Sequence, residues 1–295
     1  MKVLIGTTGM MKIGIEAWQD SEVQEGHEQM TEDVRCINLK LQRQLCHHPL
    51  LIDNQGNTIL TLADWPHLCY NACVKFIKKY DYASLKRQDG EYRIYLTPDG
   101  ESLPSVTSVL SKTKDKSGLH AWRKRVGEKK AEKIMTDAAQ IGTALHLYIE
   151  HYVNGKPYKD MTDVGVQAEL MAKKIIEEGL KDVDEVWGSE VHLYLPGKYA
   201  GTTDMVGLYK GRPAIIDFKQ TNKPKKREWV QDYLMQLAAY AQAHNHLFGT
   251  EIDQGVVLMC SRGMLFQRFE LEGENFTRAA NSFMKRLEKY SESVI

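Results

Sequence analysis

The sequence predicts an α/β fold, a mixed β-sheet with helices before and after it. Three observations carry that expectation. Residues 201–219, GTTDMVGLYKGRPAIIDFK, read as two strands, 201–209 and 213–219, joined by the short turn Lys210-Gly211-Arg212. Ala214, Ile215 and Ile216 form a continuous apolar run in the second of them, the pattern of a strand buried on both faces. The segments 140–155 and 231–249, which flank this hairpin in the chain, read as helices.

From the N-terminus, MKVLIGTTGMMKIGIEAW has a short apolar stretch without signal-peptide architecture, and is read as a first strand or ordered terminus. Residues 50–62 suggest a hairpin around Asn54-Gln55-Gly56-Asn57, with Leu51, Ile52, Ile59 and Leu60 on its arms. Asp64-Trp65-Pro66 can open a helix, Asp64 as N-cap, running through Leu68, Ala72 and Phe76 to Lys79. Residues 92–97 with Pro98-Asp99-Gly100 give another hairpin signal. In 140–155, Leu145, Ile149 and Tyr152 have helical spacing, and Gly142 and His146, four apart, stack on one face. Glu190 lies in a strand-like stretch before the hairpin, in which Val191, Leu193 and Leu195 alternate with His192 and Tyr194, and reads as a site carboxylate or an exposed strand-end one. After the 231–249 helix come two strands, 255–260 and 264–271, around Ser261-Arg262-Gly263. A final amphipathic helix carries Phe276, Ala280, Phe283, Met284 and Leu287 on one stripe.

Composition bounds the function. The chain has 295 residues, 42% hydrophobic and 26% charged, room for one large domain or two modest ones in a soluble globular protein. Mean hydropathy is −0.44 and the apolar runs fall short of a membrane span, so no membrane partner is expected. No G-x-x-x-x-G-K-[ST] loop appears, which disfavours a helicase or ATPase. The five cysteines, Cys36, Cys46, Cys69, Cys73 and Cys260, suggest reduced thiols in a cytoplasmic setting. Cys69-x-x-x-Cys73 with His67 is half of a zinc site, but no second half has suitable spacing and Cys46-His47-His48 is a poor substitute; no structural zinc is expected.

Net charge is zero, yet basic residues cluster. Lys112, Lys114, Lys116, Arg123, Lys124, Arg125, Lys129, Lys130 and Lys133 face only three acidic residues between positions 112 and 133, and Lys223, Lys225, Lys226 and Arg227 follow the 213–219 strand. Trp122 and Trp229 are interleaved with them. Solvated faces and core tryptophans would produce the same pattern, but basic grooves with aromatic faces also suit an unpaired nucleic-acid strand.

Asp217 and Lys219 lie two apart on a strand and so share a face, and the hairpin can bring Asp204 to the same side. Two carboxylates and an ammonium suit Mg²⁺ or Mn²⁺ chemistry on a phosphodiester: the ion takes oxygen ligands, and a lysine nearby can orient water or neutralise charge on phosphorus. The alternative is a buried Asp217–Lys219 salt bridge beside an unrelated Asp204. His146 is a candidate ligand or an ordinary interior histidine, and Gln236 and Tyr240, one helical turn apart, can contact phosphate, fix the lysine, or simply pack.

In this order the four pieces, Gly142-x-x-x-His146, Gly201-x-x-Asp204, Asp217-x-Lys219 and Gln236-x-x-x-Tyr240, resemble the RecB-type branch of the PD-(D/E)xK nuclease superfamily. The segment from Leu103, LPSVTSVLSKTKDKSGLHAWRKRVGEKKA, looks like the one preceding the His helix in the mitochondrial genome maintenance exonucleases, so the similarity covers residues 90–270 approximately. It implies a restriction-endonuclease-like core with a central mixed sheet flanked by helices, in a nuclease domain at 89–295 after an N-terminal accessory region at 1–88. It implies one or two Mg²⁺ or Mn²⁺ ions on His146, Asp204 and Asp217, with Lys219 catalytic, Gln236 and Tyr240 supporting, and Glu190 a secondary metal candidate. Some members carry an iron–sulfur cluster on one cysteine before the core and three after it; only Cys260 lies beyond these motifs, so none is expected. The resemblance further implies a basic helical arch or wall at 103–135, with Lys112, Lys114, Trp122, Arg123, Arg125, Lys223, Lys225, Lys226 and Arg227 on single-stranded DNA. The expected activity is that of a metal-dependent DNA exonuclease preferring single strands with a free end, in replication, recombination or repair. A structure-specific endonuclease of the same fold and a non-catalytic single-strand-binding module are the alternatives; three intact residues, Asp204, Asp217 and Lys219, argue against the second. The compact form looks phage- or organelle-type, with a cytoplasmic location expected ahead of a mitochondrial one.

Overall fold

A computed structural model describes residues 74–293 and, nearer the N-terminus, two small antiparallel ladders. These are β1 (Val3–Ile5) with β2 (Met11–Ile13), and β3 (Leu51–Ile52) with β4 (Thr58–Leu60). The second is the hairpin expected at 50–62. The helix expected from Asp64 lies outside the described residues as far as Cys73; beyond that it is replaced by an extended segment holding β5 (Lys75–Phe76). Lys75 and Phe76 pair in parallel with a longer strand, and sheet pairing overrides the local helix signal. The chain divides into two compact units, Met1–Cys73 and Val74–Ile295.

Within the second unit, β6 (Lys86–Gln88), β7 (Ile94–Leu96) and β8 (Ser102–Pro104) form an antiparallel meander. Four helices follow: α1 (Val106–Thr113), α2 (Ser117–Val126), α3 (Glu128–Val153) and α4 (Asp163–Glu178). Ser105 caps α1, its Oγ accepting the Ser108 amide at 2.9 Å, and Thr162 caps α4, its Oγ1 accepting the Gly165 amide at 3.0 Å. α4 was not foreseen, although Ala168, Met171, Ala172 and Ile175 make a buried stripe at helical spacing.

The chain then enters the main sheet with β9 (Val183–Leu195), β10 (Tyr199–Tyr209) and β11 (Arg212–Thr221). The β10–β11 turn is Lys210-Gly211, both at positive φ (50° and 76°), the geometry of a two-residue turn matched to strand twist. After β11, α5 (Gln231–Phe248) crosses back, so that β12 (Gly255–Ser261) lies parallel to β11; β13 (Phe266–Leu271) and α6 (Gly273–Glu292) complete the unit. The sheet order is β13-β12-β11-β10-β9-β5, mixed parallel and antiparallel.

Helices cover both faces, which explains the continuous apolar run in β11. Ile215 points into a core built with α1, α5 and α6, including Val109, Leu237, Ala238 and Phe283. Ala214 and Ile216 point into the opposite core with α3 and α4, including Leu145, Ile149, Met171 and Ile175. At about 25 cal/mol per Å² of apolar area, each fully covered Ile or Leu stabilises the fold by roughly 1.5–3 kcal/mol. The fold is thus the expected α/β type, a central mixed sheet flanked by helices. Among the described residues no helix is long and apolar enough to cross a membrane.

Two helices depart from this packed pattern. α2 buries none of its residues, and in α3 only Ala131 is buried before Ile141. The basic segment therefore stands as helices projecting beyond the sheet, with Lys129, Lys130 and Lys133 exposed.

Candidate active site

The hairpin's two strands separate where the chemistry was expected. β10 and β11 pair from Tyr209↔Arg212 to Met205↔Ile216 and no further. Beyond that point β10 pairs with β9, apart from one bridge between Ala200 and Ser105, while β11 continues beside β12 from Asp217↔Val257 to Thr221↔Ser261. Asp204 stands in the fork. Its Oδ2 accepts the Phe218 amide at 2.7 Å, so a carboxylate replaces the ladder partner that the separated strand has lost.

Three other elements reach the fork. His146 comes from α3, its Nδ1 3.4 Å from Asp204 Oδ2 and 3.8 Å from Glu190 Oε1. Glu190 sits in β9 at φ 52°, an uncommon conformation for a non-glycine residue. One ligand atom from each of His146, Glu190 and Asp204 lies within 4.8 Å of the others. Asp217 and Lys219 share the strand face as the period of two requires, with Nζ 2.6 Å from the Asp217 carboxylate. Only Oδ1 has hydrogen-bond geometry; buried Oδ2 has no hydrogen-bond partner.

Electrostatics follow from this packing. Burial raises the Asp217 carboxyl to about 6, against the pull of Lys219 and with the push of Asp204. Burial alone would lower the Lys219 ammonium, but Asp217 and Asp204 outweigh it and hold the pKa above its ordinary value. Lys219 is accordingly a charged donor here, not a free base. For His146, burial opposes the charge and the Asp204 and Glu190 carboxylates overcome it, giving a raised pKa.

α5 supplies the opposite wall. Gln236 and Tyr240 are buried, and burial pushes the Tyr240 phenol well above its usual range. A Cβ on Gly201 would come within 2.7 Å of the Tyr240 hydroxyl, so the glycine of the G-x-x-D motif makes room for that ring. At Gly142 an added Cβ would meet the Gln220 side chain at an ordinary 3.6 Å. The side chain from α5 that touches Lys219 is Tyr233, its ring centroid 5.3 Å from Nζ. Sequence reading passed over Tyr233, although it precedes Gln236 by three residues and so shares its helix face.

The expected nucleic-acid contacts divide by how far each side chain is engaged within the protein. Lys112 lies over Tyr92 (4.3 Å), Lys114 pairs with Asp232 (2.5 Å), and Arg123 donates to Glu128 (2.7 Å). Trp122 is half-buried on α2, and Arg125 is exposed beside it. Lys223, Lys226 and Arg227 are exposed and Lys225 half-buried, with Lys226 Nζ 5.6 Å from the ring of Trp229, itself 58% exposed. Of the expected cysteine features, those at Cys36, Cys46, Cys69 and Cys73 lie outside the described residues, and Cys260 is a buried free thiol.

No protein-family model matches the chain. The chain is similar in sequence to Mitochondrial genome maintenance exonuclease 1 of Homo sapiens, 25% identical over 204 residues, covering 64% of this chain and 58% of that protein. With the Mus musculus protein it is 24% identical over 203 residues, 65% of this chain and 60% of the relative. Among solved structures, a candidate exonuclease from Eubacterium rectale aligns over 54% of this chain and 69% of its own, with 15% identity and a TM-score of 0.40. The chain therefore spans about three-fifths of the length of the curated relatives it matches, 58% and 60%, and that sequence similarity supports a nuclease relationship.

Proposed function

We propose that the chain is a metal-dependent deoxyribonuclease of the RecB-type PD-(D/E)xK class, with a restriction-endonuclease-like core, acting exonucleolytically on single-stranded DNA. The observation that carries this reading is the fork. His146, Glu190 and Asp204 present donors within 4.8 Å of one another, beside an Asp217 oxygen that is buried and has no hydrogen-bond partner. That oxygen, Oδ2, lies 2.6 Å from Lys219 Nζ without hydrogen-bond geometry, so a buried lone pair remains to which a metal ion would be a suitable partner. The donor set of carboxylates with one imidazole fits Mg²⁺ or Mn²⁺. His146, Asp204 and Asp217 would hold one or two ions, with Glu190 as a further ligand. When bound, the metal would polarise the scissile phosphate and acidify a water.

The chain's own residues supply the rest. Lys219 stays protonated beside Asp217 and offers N–H donors to a phosphate oxygen as charge grows on it, while Tyr233 packs on its flank. Gln236 and Tyr240 wall the fork from α5. The projecting α2 and the basic start of α3 favour a single strand passing beneath them. DNA as substrate, and the exonuclease activity itself, also draw on the similarity to the genome maintenance exonucleases.

The deciding assay is cleavage of an end-labelled linear single strand beside a closed circular one, with Mg²⁺ or Mn²⁺. Loss of the linear strand alone is the expected result, and the 5′ and 3′ labels give polarity. Cutting of the circle would replace the exonuclease by an endonuclease. Binding without cleavage of either would leave a non-catalytic module. Lys219→Ala should reduce cleavage at least ~100-fold, the scale of one lost electrostatic donor, while leaving DNA affinity within about twofold; an active variant would remove the lysine's role.

A further inference from the structure

α5 has a second working face. Over its first turns Gln231, Leu234 and Met235 fall together on one side, while Tyr233, Gln236 and Tyr240 fall on the side toward the fork. Between the first side and α6 lies a cleft of about 590 Å³, within the usual range for small-ligand sites. The width of a helix, ~10 Å, separates it from the metal-ligand cluster.

The cleft's chemistry is specific. Its floor is apolar, made by Leu234, Met235 and Leu271. Two arginines are among its lining residues, Arg227 from the turn before α5 and Arg278 from α6. Elsewhere in the described residues Arg87, Arg93, Arg123, Arg212, Arg268 and Arg286 each hold a carboxylate, whereas Arg125 and Arg262 do not. Arg227 instead donates to the Glu270 carbonyl at 3.0 Å and Arg278 to Asn275 Oδ1 at 3.0 Å, so neither charge is neutralised by them. Both forks retain donors of the geometry that phosphate oxygens accept in pairs. Asn275 and Gln231 add amide groups at the wall, and Glu228 on the same lining offsets part of the positive charge, leaving a net excess of one.

Two arginines, an apolar floor and amide edges match a phosphate, a flat base and its polar rim. We infer that the cleft binds a nucleotide unit, its phosphate between Arg227 and Arg278 and its base on Leu234, Met235 and Leu271. This choice of ligand rests on the nuclease reading; the cleft is then a holding site for strand or product beyond the hydrolytic centre. Exposed Trp229, in the 3-10 turn Arg227–Trp229, stands where a strand would round the N-terminus of α5.

The test is calorimetric titration of the whole chain in EDTA with thymidine 5′-monophosphate, with thymidine, and with an oligothymidylate blocked at both ends. The wild type should bind the monophosphate or the oligonucleotide at least ten times more tightly than thymidine. Arg278→Glu should weaken that binding at least tenfold. So should Ser282→Trp, which fills the cleft from an exposed lining position, with the unfolding midpoint unchanged in both. An effect on the monophosphate alone identifies released product; an effect on the oligonucleotide identifies the passing strand. Nucleotide affinity unaltered in both variants overturns the inference, as does a glutamate-rich peptide that binds the cleft as tightly as the nucleotide. The readout needs no cleavage, so failure of the nuclease reading would show separately, as a wild-type chain that leaves end-labelled DNA intact in Mg²⁺ and Mn²⁺.

Discussion

Glu190 bears a conformation its residue type does not favour. A left-handed φ of 52° costs a non-glycine residue about 1–2 kcal/mol, and here that conformation accompanies a carboxylate 3.8 Å from His146. Two variants separate the backbone from the carboxylate. Glu190→Gly and Glu190→Ala both lose the ligand and should both bind Mn²⁺ more weakly. Glu190→Gly should nevertheless be more stable than Glu190→Ala by about 1 kcal/mol, because glycine enters this region freely; equal denaturation midpoints would show that the backbone relaxes once the carboxylate is gone. The contrast with Asp217 and Lys219 explains what was readable at this scale. Their spacing of two fixes a shared face by strand geometry alone, and the structure has them 2.6 Å apart. No pattern in the sequence reports a positive φ at a glutamate; it falls where the β9–β10 ladder skips from Thr203↔Val191 to Met205↔Ser189. Tyr233 was hidden for a different reason: an aromatic on a helix face most often packs, and only the fold brings it against Lys219.

Among the elements, the contrast lies between α5 and α2. α5 is buried over most of its length and crosses between the parallel strands β11 and β12. α2 has ten residues and buries none of them. Local opening free energy follows burial, so α2 amides should exchange with solvent orders of magnitude faster than those of Leu237–Ala241. Hydrogen exchange measured by mass spectrometry tests this, and a single-stranded oligonucleotide should slow α2 selectively if that helix contacts substrate. Elements with a strong period were legible: the β10–β11 hairpin, α5, β12 and β13 stand close to their expected limits, and α6 buries Phe276, Ala280, Phe283 and Leu287 of its expected stripe. The helix expected to run to Lys79 failed because Lys75 and Phe76 join the sheet beside β9, a long-range pairing that local propensity does not encode. α4 was not expected although its stripe is regular: the buried positions include small residues, Ala168 and Ala172, which weaken the apolar signal.

The C-terminal unit is tied together as a whole by the segment that leads into it. Tyr80 and Tyr82 pack on His244 and Phe248 of α5, with Tyr82 Oη 3.2 Å from His244 Nε2 and Thr250 Oγ1 2.8 Å from Nδ1. Burial, with Lys79 adding a smaller effect, lowers the His244 pKa to about 4. The unfolded histidine titrates near ~6.5, so in the window between these values the unfolded chain binds more protons than the folded one. Stability from this site is complete above that window and is lost as pH falls through it, on the order of 3 kcal/mol in all. Urea denaturation from pH 7 to pH 4.5 should show that loss, and His244→Asn should flatten it; an imidazole seen charged by NMR at pH 5.5 would refute the assignment. The same segment has a second effect. β9 is 13 residues long and, among the described residues, its outer side meets only the two-residue β5, helped by Ile77 N–H on the Val186 carbonyl (2.8 Å) and Leu85 N–H on His192 Nδ1 (3.3 Å). Stripped of residues 74–85, the sheet would end in a long row of unpaired amides and carbonyls, a template for the next chain. The tyrosine latch thus guards solubility: loosened by acid or trimmed by a protease, it would turn an orderly folded core into a seed for strand-by-strand self-association.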